Sequence, residues 1–180
     1  EPSSFSEAIL RIVSEEEVSL VLPMTEGALI AILPLREQLA PAVIPFPDLD
    51  SFSALSDKQR LLEEASKLGI AIPNQQVIAN RADLGSLDLS LVSFPVVLKP
   101  SRSIGVSRGA REEVVVSYAE SPDELRRKVG TLSAAAFPLL VQQRIVGPGT
   151  GIFLLLWNGE ERAVFAHKRL CEKPPSGGVS

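Results

Sequence analysis

The strongest local constraint on this fold is a turn near the end of the chain, the dipeptide Asn158-Gly159. It divides the stretch "GIFLLLWNGEERAVFAHKRL" into two apolar runs. Asn-Gly suits the tight turn whose twist matches that of two antiparallel strands, and between apolar runs it is the strongest short-range hairpin signal. The sequence therefore predicts a β-hairpin at this position.

From about residue 94 the chain is rich in predicted strands. The segments read as strands are "VVLK", "EVVVSY" and "PLLVQQRI", and a polar loop follows the first of them. A helix is predicted between the second and third strands, with Ser121, Pro122 and Glu124 in the N-cap, first and third helical positions. This half of the chain is therefore interpreted as a β-rich α+β unit.

The first half alternates between helix and strand signals instead. Apolar residues at helical spacing predict a helix over residues 4–13, and "TEGALIAILPLREQLA" also looks helical. Short buried strands are predicted at "VSLVLP" and "AVIPF". A third helix is predicted with Ser56 as N-cap and Gly69 as C-cap. Such alternation favours a layered α/β fold with a mainly parallel sheet, and the boundary with the second half falls between residues 73 and 94.

Composition and charge limit the functions that are open to this chain. A net charge of −4 and a pI near 5.1 argue against a general nucleic-acid binder. The longest apolar stretches are far short of the roughly 18 residues of a spanning helix, and no signal region opens the chain, so we expect no membrane partner. The single cysteine, Cys171, excludes a cysteine-rich zinc site and fits a reducing compartment, so we expect a cytoplasmic protein.

Two lysines occupy unusual positions, each at one end of a predicted helix or strand. Lys99 ends an apolar strand, and Lys58 lies in the first turn of a helix, where the helix dipole disfavours a positive charge unless an anion is near. The loop after Lys99 could close over a polyphosphate with its backbone amides and charged tips. Its candidate contacts are Ser101, Arg102, Arg108 and Gly109. Taken alone, Lys99 also fits an ordinary surface lysine at a strand end.

The order of these segments resembles that of the ATP-grasp superfamily. The matching segments are Asp57-Lys58, Lys99-Pro100, the loop "SRSIGVSRGA" and the strand "VQQRI". Lys58 and Lys99 are 41 residues apart, and Gln142 follows Lys99 by 43, which is close to the family's spacing. The segment "SKLGIAIPNQQV" resembles the family's link between domains. The tail "AHKRLCEKPPSGGVS" resembles the branch related to carbamoyl phosphate synthases and carboxylate-amine ligases.

The resemblance implies a mixed α/β and α+β fold. Residues 1–75 would form part of the Rossmann-like domain that precedes an ATP-grasp domain, together with a linker helix. Residues 76–180 would form a truncated ATP-grasp domain, with the lid subdomain at about 94–141 and the start of the large subdomain after it. We therefore expect the chain to be a fragment that is inactive alone.

The resemblance also assigns residues to a nucleotide site. Lys58 and Lys99 would contact the ATP phosphates, and Gln142 would meet the adenine amino group. The backbones of Gln143 and Ile145 would contact the edge of the ring. Gln142 is a departure from the family, which usually has an acid there, because its amide adds a hydrogen-bond donor that a carboxylate lacks.

The chemistry implied by the resemblance is the activation of a carboxylate by ATP, followed by attack of an amine or similar nucleophile. The implied cofactors are ATP and Mg²⁺, with the metal ligands expected beyond residue 180, and the implied partners are small carboxylate and amine substrates. A homo-oligomer is also possible. His167 and Arg169, on one face of the last predicted strand, are the candidate catalytic residues, although His167 also fits an ordinary strand residue. Two alternatives stay open: a non-catalytic nucleotide-sensing or scaffold domain, and a phosphotransferase with another acceptor.

Overall fold

The structure is a computed structural model, which describes residues 2–107 and 110–171. The chain divides into two compact units, Glu1–Arg144 and Ile145–Ser180. The domain boundaries and the lid at 94–141 stay predictions. The helices are α1 (Pro2–Glu15), α2 (Glu26–Ile32), α3 (Leu49–Ser56), α4 (Lys58–Lys67) and α5 (Pro122–Thr131). The strands are β1 (Gln75–Ile78), β2 (Val96–Pro100), β3 (Ile104–Ser107), β4 (Ala110–Glu113), β5 (Ser117–Ala119), β6 (Leu139–Gln143), β7 (Thr150–Trp157) and β8 (Glu160–Lys168).

The N-terminal part of the first unit packs helices around a small apolar cluster. Its buried members are Ile32, Leu33, Leu39 and Ile44, and one face of α1 packs against them. The helix predicted over 4–13 is confirmed. The helix predicted at "TEGALIAILPLREQLA" is confirmed only in its first part, because α2 ends at Ile32 and only the short 3₁₀ turn Leu33–Leu35, which contains Pro34, follows it. Among the described residues, every helix is too short or too polar to cross a membrane.

The two strands predicted in this part are reduced to one parallel bridge, between Leu20 and Val43. Val21 N donates to Val43 O at 2.9 Å, and Val43 N donates to Ser19 O at 2.9 Å. Pro41 and Pro45 lie two residues either side of Val43 and have no backbone N–H to donate, so the pairing cannot extend. The predicted parallel sheet is therefore wrong in extent, because the described residues form only this one parallel contact.

Helix α4 begins one residue later than predicted, because Asp57 rather than Ser56 is its N-cap. Asp57 Oδ1 accepts from Gln59 N at 3.0 Å and from Arg60 N at 3.3 Å. Ser56 instead ends α3, a short helix that the sequence analysis did not predict. At the other end, Leu68 is the C-cap and Gly69 follows it at a φ of 75°, a left-handed conformation that glycine adopts without a Cβ clash.

A four-stranded antiparallel sheet, in the order β1-β6-β2-β5, forms the centre of the first unit. One face packs against α5 around a buried apolar core made of Ile78, Val96, Leu98, Ala119, Leu125, Val129, Leu139 and Val141. The predicted start of α5 is confirmed, since Glu124 N donates to Ser121 Oγ at 3.3 Å. Strand β1 was not predicted, because "SKLGIAIPNQQV" was interpreted as a link between domains.

The predicted polar loop after β2 is largely a β-hairpin, because β3 pairs with β4 in antiparallel register. Arg108 and Gly109 fall outside the described residues. The single strand predicted at "EVVVSY" is split, and β4 and β5 belong to different sheets. A Cβ at Gly105 would lie 2.1 Å from Ala135 O, so β3 approaches this backbone at a distance that only glycine allows.

The second unit contains the predicted hairpin of β7 and β8. Asn158 and Gly159 have φ values of 53° and 79°, as a two-residue hairpin turn of the predicted kind requires. The rings of Phe153, Phe165 and His167 are stacked along one face of this hairpin. Residues of both strands leave large apolar side chains exposed.

Candidate functional site

The start of helix α4 meets the end of strand β2, as the positions of Lys58 and Lys99 predict. Lys58 N, an N–H without a partner inside its own helix, donates to Ser101 O at 2.7 Å. Ser101 is buried, and its own N–H donates to Pro138 O at 2.8 Å. The Lys58 ammonium donates to Ser103 Oγ at 3.2 Å. These contacts fix the first turn of α4 against the segment that follows β2.

The Lys99 side chain lies on the sheet face opposite the apolar core. Strand alternation places Lys99 and Gln142 on this face, while Leu98 and Val141 point into the core. Lys99 Nζ donates to Gln142 Oε1 at 2.9 Å. Gln142 Nε2 in turn donates to Gln75 Oε1 at 2.9 Å. Lys99 and Gln142, the predicted base contact, therefore form one polar cluster with Gln75.

The two lysine ammonium groups sit in an environment that disfavours their charge. Burial lowers the pKa of Lys58 and of Lys99 below their ordinary value of 10.5. The positive charge of Lys58 lowers the pKa of Lys99 further, so the two groups repel one another. Glu26 and Asp57 act in the opposite direction on Lys58. Within the described part of the chain, neither ammonium forms a salt bridge.

Arg102 adds a third cation beside these lysines. Its Nε lies 3.4 Å from Asp57 Oδ2, and the Arg102 side chain is about half exposed. Asp57 also caps α4 through its other oxygen, so its carboxylate is shared between a helix terminus and an arginine. The surplus positive charge of this cluster is therefore carried by Lys58 and Lys99, and a bound anion would stabilise it.

We compared the chain with known proteins. No protein-family profile matches the sequence, and no curated protein is detectably similar to it. Solved structures do match. L-amino acid ligase from Bacillus licheniformis superposes with a TM-score of 0.64 at 16% identity, over 93% of this chain and 35% of the ligase.

Two further solved structures contain a nucleotide. The ADP complex of N5-carboxyaminoimidazole ribonucleotide synthetase matches with a TM-score of 0.63 at 15% identity, over 92% of this chain and 41% of that protein. D-alanine–D-alanine ligase from Bacillus anthracis, complexed with ATP, matches with a TM-score of 0.55 at 14% identity, over 92% of this chain and 59% of that protein. All three are ATP-grasp ligases.

This chain has the ATP-grasp fold. It spans 35% and 41% of the length of the first two of these ligases. The mixed α/β and α+β fold class expected from the resemblance is confirmed. At these identities the likeness concerns the ATP-grasp fold alone.

The other sequence-predicted residues of the ATP-grasp site are distributed over both units. Gln143 is exposed, and its N–H donates to Asn74 O at 2.8 Å. It lines a cavity of about 300 Å³ with Gln76, Val96 and Val141, side chains of the core face rather than the lysine face. Ile145 lies in the second unit and is exposed. The nucleotide contacts assigned to these residues stay predictions.

His167 and Arg169 both lie in the second unit, at the end of β8 and just after it. A Cβ at Gly151, directly opposite on β7, would lie 2.5 Å from His167 Cε1, so the imidazole occupies the space over this glycine. Within the described residues, His167 Nδ1 is buried and has no hydrogen-bond partner. Arg169 N donates to Gly149 O at 2.7 Å. Their catalytic role stays a prediction.

Sequence reasoning missed the roles of two residues at the site. Gln75 was treated as part of an interdomain link, although the β-branched pair Val77-Ile78 after Pro73-Asn74 is a weak strand signal that could have placed it on a sheet. Asp57 was treated as part of the Asp-Lys motif and not as a helix cap, although aspartate is among the best N-caps.

Proposed function

We propose that this chain is the ATP-binding part of an ATP-grasp enzyme that activates a carboxylate for attack by an amine or similar nucleophile. The observation that carries the proposal is the pairing of Lys58 and Lys99. Two half-buried ammonium groups with lowered pKa values are costly, and within the described residues neither forms a salt bridge that would offset this cost. A polyphosphate supplies that anion, so the cost of holding the lysines together is offset when nucleotide binds.

The ligases that share the fold support this assignment. They are an L-amino acid ligase, a carboxyaminoimidazole ribonucleotide synthetase with ADP and a D-alanine–D-alanine ligase with ATP. In the proposed reaction a carboxylate oxygen attacks the γ-phosphorus of ATP, and ADP leaves. The nitrogen of the amine then attacks the acyl carbon, and phosphate leaves. The activity and the substrates belong to the whole protein, and we expect a cytoplasmic location.

Within the proposed site the chain's own residues bind and orient the phosphates. Lys58 and Lys99 would donate to phosphate oxygens in place of Ser103 and Gln142. Arg102 would add a charge from the segment after β2. Charge-assisted hydrogen bonds of this kind hold the γ-phosphoryl group in line with the attacking carboxylate, which is most of what a protein contributes to phosphoryl transfer.

The magnesium ions expected from the resemblance would be held by oxygen ligands, usually one or two carboxylates together with substrate phosphates and water. Among residues 2–107 and 110–171, no group of three or more His, Cys, Asp or Glu side chains is placed to hold a metal ion. The phosphate contacts proposed for Lys58, Lys99 and Arg102 do not depend on such a group.

Calorimetric titration of ATP into the full-length protein tests the assignment. Lys99→Met and Lys58→Met should each weaken ATP binding by about 1.5–3 kcal/mol, the scale of a charge-assisted hydrogen bond. Lys67→Met is the matched control, because Lys67 ends the same helix and forms an exposed pair with Glu64. ATP affinity that is unaltered in both variants would make Lys58 and Lys99 ordinary surface lysines and overturn the proposal.

A second measurement distinguishes the ligase from a nucleotide-sensing domain. A coupled assay for ADP should show release that requires both a carboxylate and an amine. Tight ATP binding with no ADP release for any pair of substrates would favour the sensing or scaffold alternative.

A further inference from the structure

Gln75, Gln142 and Lys99 form a hydrogen-bonded chain across three neighbouring strands. Gln75 of β1 lies directly opposite Gln142 of β6, and Lys99 lies on β2, the other neighbour of β6. Lys99 Nζ donates to Gln142 Oε1, and Gln142 Nε2 donates to Gln75 Oε1, each at 2.9 Å. The chain runs over the sheet face opposite the apolar core and ends at the proposed phosphate lysine.

The chemistry of the three groups fixes the direction of the central amide. An ammonium only donates hydrogen bonds, so the side of Gln142 that faces Lys99 must carry the oxygen. The amide nitrogen then faces Gln75, which must accept with its own oxygen. Gln142 is only 3% exposed, so a reversed amide would bury two donors against each other beside Lys99.

The orientation of the Gln142 amide matters because Gln142 stands where the ATP-grasp resemblance leads us to expect an acid. A free amide offers an acceptor and a donor, and it could meet either an amino or an oxo group on a purine. Here Gln75 occupies the donor side. When Lys99 turns to the phosphates, Gln142 Oε1 loses its partner and becomes a free acceptor, while Gln75 still holds the amide in place.

We propose that Gln75 is a positioning residue for nucleotide choice: it holds the Gln142 amide so that the site presents only an acceptor to the base. Such a site favours a 6-amino purine, as in ATP, over a 6-oxo purine, as in GTP. A glutamine thereby acts as the carboxylate would, without its charge. The inference rests on the proposed function, because it takes Lys99 to be a phosphate contact and Gln142 to be the base contact.

The test is a comparison of ATP, GTP and inorganic tripolyphosphate binding to the full-length protein by calorimetry. The wild-type protein should prefer ATP to GTP. Gln75→Leu should reduce this preference by about tenfold, the scale of one hydrogen-bonding contact, because the amide can then turn its nitrogen to the base. Tripolyphosphate affinity should stay unchanged. Gln75→Glu, which still accepts from Gln142 Nε2, should keep the preference.

The same substitution in a Gln142→Glu protein distinguishes a positioning role of Gln75 from a role in packing. Gln142→Glu has acceptors on both oxygens and needs no orientation, so adding Gln75→Leu to it should leave the ATP preference intact. Should Gln75→Leu weaken all three ligands equally, or leave the ratio of ATP to GTP unchanged, the inference is wrong. A wild-type protein that binds ATP and GTP equally also overturns it. A wild-type protein that binds none of the three ligands refutes the proposed function, and this inference with it.

Discussion

Lys58 and Lys99 are the residues whose protonation is most informative about the site. Burial lowers the pKa of each below 10.5, the ordinary value that also describes the unfolded chain. Between the lowered pKa and 10.5, the unfolded state therefore binds more protons than the folded state. The cost of these charges to folding is present in full below the lowered pKa, and it diminishes as the pH rises from there to 10.5.

Nucleotide binding should reverse this shift, because bound phosphate favours the charged ammonium and raises the pKa of both lysines. We predict that ATP binding takes up protons at a pH between the lowered free pKa and the raised bound pKa, and that affinity falls as the pH rises through this window. Calorimetry at a series of pH values up to 10.5, in two buffers with different enthalpies of ionisation at each pH, measures the uptake. The Lys99→Met variant is the control and should take up fewer protons. Proton release on binding would contradict the assignment.

At the scale of elements, Asp57 caps helix α4 and also pairs with Arg102, which follows strand β2. Asp57→Ala should lower the free energy of unfolding by about 1 kcal/mol, because Gln59 N and Arg60 N lose their acceptor. Asp57→Asn should keep most of the stability, since asparagine caps equally well. Urea denaturation measures both variants.

Ser56→Ala is the control that separates the predicted cap from the observed one. Ser56 Oγ donates to Ser53 O at 3.4 Å, a long hydrogen bond within the preceding helix, so its removal should change the unfolding free energy little. A loss from Ser56→Ala as large as that from Asp57→Ala would restore Ser56 as the cap.

At the scale of the whole chain, the β7–β8 hairpin carries much of the exposed apolar surface. Leu154 and Val164 lie opposite one another, at 58% and 50% exposure. Within the described residues each strand pairs only with the other, so both outer edges are free to pair. Isolated two-stranded hairpins are marginally stable, and apolar edge strands are prone to associate.

We therefore predict that the isolated 180-residue chain self-associates through this hairpin. Light scattering should show oligomers whose size decreases in the double variant Leu154→Thr with Val164→Thr, because threonine keeps the β-propensity and removes apolar area. Val115→Thr, at an exposed valine outside the hairpin, is the matched control and should change nothing. A wild-type chain that stays monomeric as its concentration is raised would contradict this prediction.

Features set by neighbouring residues were predictable from the sequence. The Asn158-Gly159 turn and the Ser121 cap of α5 depend on side chains and dihedral angles within a few positions. The buried strand that ends at Lys99 also follows from its local apolar run. The ATP-grasp fold was predicted from a resemblance to that family in the order and spacing of several short segments, including those of Lys58, Lys99 and Gln142, although no family profile matches the sequence.

Only the tertiary structure decided how distant residues meet. Gln142 bonds to Lys99 across 43 positions and to Gln75 across 67, and no local pattern specifies such a contact. The strand pairing that joins β1 to β6 decides it, because the register brings Gln75 opposite Gln142. The parallel pairing of Leu20 with Val43 does not extend into a sheet, because Pro41 and Pro45 have no backbone N–H to donate. Local sequence sets what a segment can form, whereas register and burial set which polar groups must satisfy one another.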